Sequence, residues 1–333
     1  MISILRNSAF AFCATISLCS AVHGQEFSLP LDCQAAGVEC RIQHYVDMDT
    51  GPSAHDPFCG TATYNGHDGI DIRVLSMRDV DKGVAVIAMA DGKVLRGRDG
   101  VPDRLVLTKS DRAAVANREC GNGLLVEQGA YQVQYCHMKQ GSLVVKPGDR
   151  VAKGQKLGEV GASGMAQFPH LHITVRKNNA IIDPMTGATP KADATCNLEN
   201  NPAQSLWSSA ADKSLKAMAS PLLDAGIAGN VPAHNKLSLE GGPPTALIAD
   251  ASTVGWVWFA NLQKGDQIKL TLNAPDGSVY SQTTTGPLER NKADYSAYVG
   301  RQRSPTAGKW TLGIALLRGG KTIFETKKTA VIK

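Results

Sequence analysis

Several features that would assign a class to this protein are missing from its sequence. No apolar stretch after residue 24 has the roughly 20 residues that a membrane-spanning helix needs. No Cys-x-x-Cys pair is present, which leaves thiolate zinc binding with little support. No basic run or basic-aromatic array points to nucleic acid, and no internal repeat is recognisable. The 333 residues, 43% of them hydrophobic, therefore indicate one large or two medium globular domains without a membrane span.

The N-terminus has the pattern of a secretory signal peptide. One positive charge, at Arg6, precedes a short uncharged apolar run over residues 8–19, and small residues follow. We expect cleavage near Gly24–Gln25, which removes residues 1–24. The apolar run is shorter than a membrane anchor needs, and a bulky residue before Cys19 disfavours a lipid anchor there. The mature protein is then exported, into the periplasm or out of the cell.

Cysteine usage agrees with export. Eight cysteines become six (8 − 2) after cleavage, an even number that is typical of disulfide-bonded secreted proteins. The predicted pairs are Cys33–Cys40, Cys120–Cys136 and, by elimination only, Cys59–Cys196. The first would close a small loop, and the second would join two strands of a hairpin that turns near residues 129–130.

The net charge suggests little about partners. It is +5 for the whole chain and 5 − 1 = +4 once the signal segment with Arg6 is removed. A mild positive charge could favour an anionic cell wall or membrane surface, but a solvated basic surface is the simpler interpretation. No nucleic-acid partner is expected.

The chain is predicted to be mainly β, in two units. Short alternating runs at residues 84–88, 92–95, 123–127, 131–135, 156–160 and 171–175 indicate an antiparallel sheet. The predicted organisation is a signal peptide at 1–24, a Cys-containing lead-in at 25–64 packed on the next unit, a compact β domain at 65–200, a helix and linker at 201–232, and a β-sandwich-like accessory domain at 233–333.

The C-terminal unit carries its own β signals. A turn is predicted at Pro275-Asp276-Gly277, and a hairpin is predicted around Gly319-Gly320. Trp256 and Trp258 lie on one face of a strand, where core packing is the expected role. Helical spacing indicates a helix within residues 202–218, and residues 226–232 have the composition of a linker.

Histidine and aspartate residues suggest the chemistry. Three short segments carry them: residues 65–71 with His67 and Asp71, residues 135–137 with His137, and residues 168–172 with His170 and His172. Hydrolysis of an amide at neutral pH needs a strong nucleophile and a stabilised oxyanion. A zinc ion with about three protein ligands and an open position supplies both, because it acidifies a water and polarises a carbonyl.

The two histidines of the third segment should face the same site. In a strand, residues two apart point to one face, roughly 6.6 Å apart along the strand. His170 and His172 can therefore complete a set with His67 and Asp71, although the spacing does not decide which of them binds the metal. The other imidazole and His137 would then handle protons. The remaining histidines of the mature chain, His44, His55 and His234, are assigned to structural or surface positions.

In this order the segments resemble those of the M23 family of zinc metallopeptidases, the lysostaphin- and LytM-like endopeptidases. The matching elements are His67 to Asp71, Tyr135-Cys136-His137-Met138, residues 145–164, and Phe168-Pro169-His170-Leu171-His172. The resemblance covers about residues 60–185. It departs from the family pattern at Phe168, where glycine is usual, and at Cys136, where alanine is usual.

The resemblance implies one zinc ion per chain, with His67, Asp71 and His172 as ligands and His137 and His170 as catalytic residues. It also implies a compact antiparallel β structure with a groove over the metal. The family cleaves peptide bonds, most often in the stem or cross-bridge peptides of peptidoglycan. We expect Phe168 to narrow or reshape the groove and Cys136 to belong to a disulfide.

Three alternatives remain open at this stage. A non-catalytic relative that activates a cell-wall amidase would be expected to lose metal ligands, and this chain keeps all five polar positions. A non-haem iron oxygenase also uses two histidines and a carboxylate, but with a different spacing. A protease that acts on secreted or host proteins would share the same site. The C-terminal domain is expected to position the enzyme or to bind a wall or protein partner.

Overall fold

The computed structural model describes residues 26–192 and 204–333. The predicted signal peptide and Cys196, with its predicted pairing to Cys59, lie outside these residues. Within them, no helix is both long and apolar enough to cross a membrane. The fold is mainly antiparallel β, as predicted, and the residues described here form four sheets.

The largest sheet has eight strands and contains the runs predicted at 92–95, 123–127, 131–135 and 171–175, whereas the runs at 84–88 and 156–160 belong to a second sheet. Across the sheet the order is β2 (Cys40–His44), β3 (Ile70–Val74), β10 (His170–Lys177), β7 (Tyr131–Met138), β6 (Asn122–Gln128), β5 (Gly92–Arg98) and β8 (Arg150–Val151), with β11 (Ala180–Ile182) paired to β10. The predicted hairpin is confirmed, since Gln128 of β6 pairs with Tyr131 of β7 across the turn. Every residue of β3 is buried, which places this strand at the centre of the unit.

A second sheet packs against the first and includes part of the lead-in. Its strands are β1 (Leu31–Asp32), β4 (Ala85–Ile87) and β9 (Lys156–Glu159). Phe27, Leu31 and Ile42 of the lead-in are buried in the same hydrophobic core as β3 and β10. The predicted disulfides Cys33–Cys40 and Cys120–Cys136 are both present.

Helices are few and short. They are α1 (Met77–Asp81), α2 (Lys109–Ala114), α3 (Ser209–Met218), α4 (Leu237–Glu240) and a 3-10 turn at His234–Lys236. The helix predicted within 202–218 is confirmed as α3. It begins after Ser208, whose hydroxyl accepts a hydrogen bond from the Ala211 amide and so satisfies one of the free N–H groups of the first turn.

The C-terminal unit is a sandwich of two sheets around a separate core. One sheet has the order β12 (Leu222–Ala228), β13 (Thr253–Leu262), β16 (Lys292–Arg301), and the other has β15 (Val279–Thr284), β14 (Gln267–Asn273), β17 (Gly308–Arg318), β18 (Lys321–Ile332). The hairpin at Gly319-Gly320 is confirmed by the pairing of Arg318 with Lys321. Trp256 and Trp258 are 2% and 1% exposed, as expected for core residues.

The structure differs from the linker predicted at residues 226–232. Residues 222–228 form β12, which pairs with β13, so the sandwich begins before residue 233. Gly226 has a packing role here, because a Cβ at this position would lie 2.9 Å from the indole nitrogen of Trp256. The sequence alone does not distinguish a glycine that is needed because an aromatic ring lies close to it from a glycine that makes a linker flexible.

The two units contact each other along β2 and β13. The side-chain amide of Asn261 donates to the Gln43 carbonyl at 2.6 Å, and the Gln43 amide donates to the Ala293 carbonyl at 2.7 Å. Leu75, just after β3, packs against a cluster that includes Trp256 and Trp258. The sandwich therefore adjoins the strand that carries Asp71.

Candidate active site

The three central strands β3, β10 and β7 bring the predicted site residues together. In the antiparallel register, His172 pairs with Asp71 of β3 on one side and with Cys136 of β7 on the other. His170 pairs with Arg73, and His137 follows Cys136 near the end of β7. The alternation of a strand then places Asp71, His170 and His172 on one face.

Three donor atoms form a small triangle on this face. The distances are 3.2 Å from His67 Nε2 to Asp71 Oδ1, 2.9 Å from Asp71 Oδ1 to His172 Nδ1, and 3.3 Å from His67 Nε2 to His172 Nδ1. In a tetrahedral zinc site with bonds of about 2.0–2.1 Å, donor atoms lie about 3.3 Å apart. Two imidazoles and one carboxylate at these separations fit the donor set of a zinc site that keeps an open position.

A hydrogen bond at the far nitrogen fixes which nitrogen of His67 faces the triangle. His67 Nδ1 donates to the carbonyl of Tyr45 at 2.6 Å, so Nε2 carries the lone pair. Tyr64 covers the same imidazole, with ring centroids 4.6 Å apart. Both tyrosines belong to the lead-in, which therefore helps to build the site.

His172 is held by a carboxylate in the same manner. Its Nε2 lies 3.2 Å from Asp68 Oδ1 and 3.0 Å from the hydroxyl of Thr174, so Nδ1 faces the triangle. Burial alone would lower the pKa of His172, but its hydrogen bonds to Asp68 and Asp71 raise that pKa to about 9. A carboxylate on the outer nitrogen of a histidine ligand orients the ring and increases its basicity.

His137 and His170 lie beside the triangle, each anchored through one nitrogen. His137 Nδ1 donates to the Ser163 carbonyl at 2.8 Å, and His170 Nδ1 donates to the Phe168 carbonyl at 2.8 Å. Their ring centroids are 4.5 Å apart. Nε2 of each imidazole therefore faces the site, and that of His170 lies 3.3 Å from Asp71 Oδ1. His137 has a φ of 61°, a left-handed conformation that is unfavourable for a non-glycine residue and that often occurs at functional sites.

Burial and neighbouring charges set the ionisation of these groups. Burial raises the pKa of Asp71, but the adjacent His67 and His170 outweigh this effect and hold the pKa well below its usual range. Burial, together with His170 and His172 nearby, lowers the pKa of His137 well below its usual value. At neutral pH Asp71 is thus a carboxylate and His137 is a neutral imidazole.

The described residues contain two groups that could hold a metal ion, and they share one member. The first is His67, Asp71 and His172, and the second is His137, His170 and His172, each with donor atoms within 4.8 Å of one another. The first group includes the carboxylate, and its donor atoms form the compact triangle described above. We therefore retain the ligand set that the resemblance implied as the proposed one.

His44 belongs to the site, although its sequence gave no reason to place it there. It is 8% exposed, and its Nδ1 lies 2.9 Å from Asp71 Oδ2, the carboxylate oxygen that faces away from the triangle. Burial lowers the pKa of His44 even though Asp71 opposes the shift. The assignment of His44 to a structural or surface position needs this correction, because only the pairing of β2 with β3 reveals its partner.

A groove of about 390 Å³ opens beside the triangle of donor atoms, and His67 and His172 are among the residues that line it. Its walls include Tyr64, Asp68, Glu119, Gln134, Met165 and Arg176. Arg176 donates to Asp68 Oδ2 at 2.9 Å and to Gln134 Oε1 at 2.8 Å, so three polar side chains form one connected wall. The disulfide Cys120–Cys136 also lines the groove.

Phe168, which stands where glycine is usual in the family, was expected to narrow or reshape the groove, but it is not among the residues that line the groove. Its ring packs behind the site, with centroids 4.5 Å from His170 and 5.8 Å from His44. The guanidinium of Arg73 lies 4.7 Å from the other side of this ring. Phe168 therefore contacts a predicted catalytic imidazole from the rear.

Gly69 allows the site strands to approach each other. A Cβ at this position would lie 2.5 Å from the Ile173 carbonyl and 2.6 Å from His172 Nε2. Any side chain here would displace β10 or turn the imidazole away. The glycine within the His67-to-Asp71 segment is thus a steric requirement of the site.

Comparison with known proteins gives an independent assignment. Residues 65–184 match the model of peptidase family M23. The chain is similar to peptidoglycan DD-endopeptidase ShyB of Vibrio cholerae, with 32% identity over 111 residues, which are 33% of this chain and 22% of that protein. It is also similar to ShyA, a peptidoglycan DD-endopeptidase of the same organism, with 29% identity over 93 residues, or 27% and 21% of the two chains.

A solved structure, that of a zinc-containing peptidase from Vibrio cholerae, is 25% identical and has a TM-score of 0.34, covering 50% of this chain and 41% of the other. The matched region spans less than a quarter of the length of the two curated relatives, ShyB and ShyA. The matched segment contains all five residues predicted from the sequence and ends before α3 and the sandwich. Residues 65–184, about a third of this chain, therefore resemble the domain that defines peptidase family M23.

Proposed function

We propose that this protein is an exported, zinc-dependent endopeptidase that hydrolyses peptide bonds in the stem or cross-bridge peptides of peptidoglycan. The observation that carries the proposal is the triangle of His67 Nε2, Asp71 Oδ1 and His172 Nδ1, with two further anchored imidazoles beside it. In a structural zinc site, four protein ligands fill the coordination sphere, and no proton-handling groups are needed. Three ligands with adjacent bases are instead typical of a hydrolytic site.

His67, Asp71 and His172 would hold the metal. When bound, zinc polarises the carbonyl of a substrate and makes water a stronger acid. A single carboxylate among the ligands leaves the site with net positive charge, which favours the developing oxyanion. The bonds of His67 to the Tyr45 carbonyl and of His172 to Asp68 keep both rings in the orientation that binding requires.

His137 and His170 would handle the protons and the developing charge. The Nδ1 of His137 is committed to Ser163, and its lowered pKa keeps Nε2 unprotonated at neutral pH. This nitrogen can therefore accept a proton from an attacking water. His170 donates through Nδ1 to the Phe168 carbonyl, so it can donate to the oxygen that gains charge or to the leaving amine only in its protonated form, through Nε2.

Peptidoglycan peptides are the substrate that the combined observations favour. The two Vibrio cholerae relatives, which are similar to about a third of this chain, are named as peptidoglycan DD-endopeptidases. The groove is open and lined by polar groups, and Arg96 and Arg98 border an adjoining depression that shares Cys120 and Gln134 with it. Basic groups along an open groove suit peptides that carry carboxylates. The two disulfides of the described residues agree with an oxidising, extracytoplasmic compartment.

Digestion of purified peptidoglycan by the zinc-loaded protein, followed by mass spectrometry of the fragments, tests the proposal. We expect fragments that differ by hydrolysis of one type of peptide bond, and none after treatment with a chelator. Folded protein that holds no zinc and releases nothing would instead favour a non-catalytic activator of a cell-wall amidase. Cleavage of secreted proteins without cleavage of peptidoglycan would change the substrate and keep the chemistry.

The division of roles makes a separate prediction for alanine variants. His137→Ala and His170→Ala should lower turnover by about 10²–10⁴-fold while zinc stays bound, because these residues act on protons. His67→Ala, Asp71→Ala and His172→Ala should lose the metal. Elemental analysis and turnover, with His55→Ala as a histidine control away from the triangle, check this. Equal metal loss in all five variants would contradict the assignment.

A further inference from the structure

A continuous stack of four side chains joins the C-terminal sandwich to the site. The guanidinium carbon of Arg73 lies over two rings, 4.5 Å from the centroid of Trp258 and 4.7 Å from that of Phe168. The Phe168 ring in turn lies 4.5 Å from that of His170, with a 35° angle between the planes. Trp258 belongs to β13 of the sandwich, and the other three residues belong to the M23 region.

Arg73 is an unusual residue to find at this position. It is fully buried, and no carboxylate of the described residues lies within ion-pairing distance of its guanidinium. Burial lowers the pKa of Arg73 to about 10, with the charge of Asp294 opposing the shift, so the side chain stays charged at neutral pH. A buried cation without a close counter-ion depends on its hydrogen bonds and on the aromatic faces around it.

Both units supply those partners. Arg73 Nη1 donates to Gln43 Oε1 at 2.9 Å, and Nη2 donates to the Ser238 hydroxyl at 3.2 Å. Gln43 is itself held by the Ala293 carbonyl of the sandwich, to which its amide donates at 2.7 Å. The position of the guanidinium is therefore set by contacts from both sides of the junction.

We propose that Arg73 is a positioning residue through which the C-terminal sandwich, by way of Trp258, fixes Phe168 and the proton-handling imidazole of His170. This inference rests on the proposed role of His170 in peptide hydrolysis. It gives the sandwich a part in the site itself, in addition to any role in binding a partner.

The geometry of Phe168 explains how a displacement would be transmitted. Phe168 contacts His170 twice, by its ring and by the carbonyl that accepts the hydrogen bond from His170 Nδ1 at 2.8 Å. If the ring of Trp258 is removed, the guanidinium of Arg73 should move toward other polar groups. The ring of Phe168 then loses its contact with Arg73. The three proposed ligands have outer partners of their own, the Tyr45 carbonyl, His44 and Asp68. The stack adjoins this network at two points, because His170 Nε2 lies 3.3 Å from Asp71 Oδ1 and the Phe168 ring lies 5.8 Å from that of His44. Since none of the outer partners belongs to the stack, a defect in the stack should lower turnover through His170 far more than it weakens metal binding.

Variants of the full mature chain can separate this role from simple destabilisation. Trp258→Leu removes the aromatic face, Trp258→Phe restores part of it, and Arg73→Lys keeps the charge without the planar, stacking guanidinium. Trp310→Leu is the matched control, because Trp310 is 1% exposed in the sandwich core and belongs to a different hydrophobic cluster from Trp258. Zinc content and melting temperature are measured for every variant.

Two readouts decide the outcome. We expect kcat on peptidoglycan peptides to fall by about 10- to 100-fold in Trp258→Leu and Arg73→Lys, with KM and zinc content little changed and partial recovery in Trp258→Phe. In NMR spectra of the imidazole groups, the His170 signals should shift in these two variants while those of His67 stay in place. Trp310→Leu should show neither effect beyond what its melting temperature explains.

The proposal is overturned if the His170 signals do not move in Trp258→Leu, or if Trp310→Leu with an equal melting temperature loses as much kcat. Loss of zinc in Trp258→Leu would also overturn it, since the effect would then pass through the ligands. If the wild-type protein hydrolyses no peptide, the proposed function fails, but the NMR comparison still tests whether Trp258 and Arg73 position His170.

Discussion

Each of the four predicted site histidines uses one ring nitrogen in a hydrogen bond that anchors the ring. That bond decides which nitrogen faces the site. His67, His137 and His170 donate through Nδ1 to backbone carbonyls and keep Nε2 for the site. His172 is reversed, because its Nε2 faces Asp68 and its Nδ1 faces Asp71. The hydrogen-bond partners of each ring thus separate ligand atoms from proton-exchange atoms before any metal binds.

His44 gives a prediction at this scale, because it holds the outer oxygen of Asp71. His44→Ala should weaken zinc binding by about 10- to 100-fold, since an outer partner orients the ligand carboxylate and its loss frees that group to turn. Competition with a chromophoric chelator measures the affinity. At saturating zinc the turnover should approach that of the wild type.

His55→Ala is the control for His44→Ala, since His55 lies in the same lead-in segment and its Nδ1 lies 3.2 Å from the Asp56 carbonyl instead of from a predicted ligand. An unchanged zinc affinity in His44→Ala would show that Asp71 keeps its orientation without this partner.

At the scale of elements, the end of β7 is fixed by the disulfide Cys120–Cys136. The bond lies next to His137, whose backbone amide donates to the Cys120 carbonyl at 2.8 Å. Together these contacts hold His137 in its left-handed conformation. Sequence reasoning predicted the bond from the hairpin, but it did not predict that the bond would support a site residue.

Replacing both Cys120 and Cys136 by Ser should lower stability by about 3 kcal/mol, as expected for a closed loop of this length. Turnover of the zinc-loaded protein should also fall, because His137 gains freedom. The matched control is the pair Cys33 and Cys40, which closes a loop of 7 residues and lies away from His137, so its removal should leave turnover unchanged. Urea denaturation and peptide hydrolysis measure the two effects, and equal turnover in both double variants would refute the link.

The junction near α4 makes a prediction about pH. The hydrogen bond from His234 to Asp294, at 3.4 Å, raises the pKa of His234 above its usual value, although partial burial opposes the shift. The folded state therefore binds this proton more tightly than the unfolded state does. The resulting stability is fully present below about pH 6.5 and is lost as pH rises through the folded pKa.

Since His234 is nearly half exposed, solvent screening limits this stability to about 0.5 kcal/mol or less. Unfolding free energies of the wild type and His234→Asn, compared at about pH 6 and about pH 9, measure it. The wild type should exceed His234→Asn in unfolding free energy by more at the lower pH. A difference that increases with pH would exclude this mechanism.

At the scale of the whole molecule, the lead-in and the sandwich both reach the candidate site, which lies in the region that matches the M23 model. The lead-in supplies His44 and the Tyr45 carbonyl, and its Phe27 is buried in the main core. The sandwich contributes Trp258 to the stack behind His170. The match to the family model covers residues 65–184, whereas the site draws on residues from outside that range on both sides.

This arrangement predicts that the lead-in supports zinc binding and does not inhibit the enzyme. Deleting residues 26–64 should abolish zinc binding, because His67 and Asp71 lose their outer partners and β3 loses β2. A protease site inserted at the exposed Ser53, cleaved after folding, tests the same point without removing the segment. Elemental analysis and turnover should show no gain after cleavage, and an increase in activity would identify the lead-in as an inhibitory segment.

Much of the fold and the set of histidines could be predicted from sequence because they depend on local patterns. Alternation of apolar residues predicted β5, β6, β7 and β10 of the main sheet but not β2 and β3, and the turn residues at 129–130 and 319–320 predicted the hairpins that are present. Gly226 was misinterpreted as part of a linker, since a local pattern does not distinguish a flexible glycine from one that lies against a tryptophan ring.

Residue types and spacing alone determined that His67, Asp71, His137, His170 and His172 form a candidate metal site on an antiparallel sheet. Tertiary structure decided the rest, because it depends on pairing between distant segments. Only the pairing of β2 with β3 reveals that His44 holds Asp71. Only the packing of the sandwich against β3 shows that Arg73, between Trp258 and Phe168, connects that domain to His170. Hydrophobic periodicity records which face of a strand is buried, but it does not record which distant side chain will meet that face.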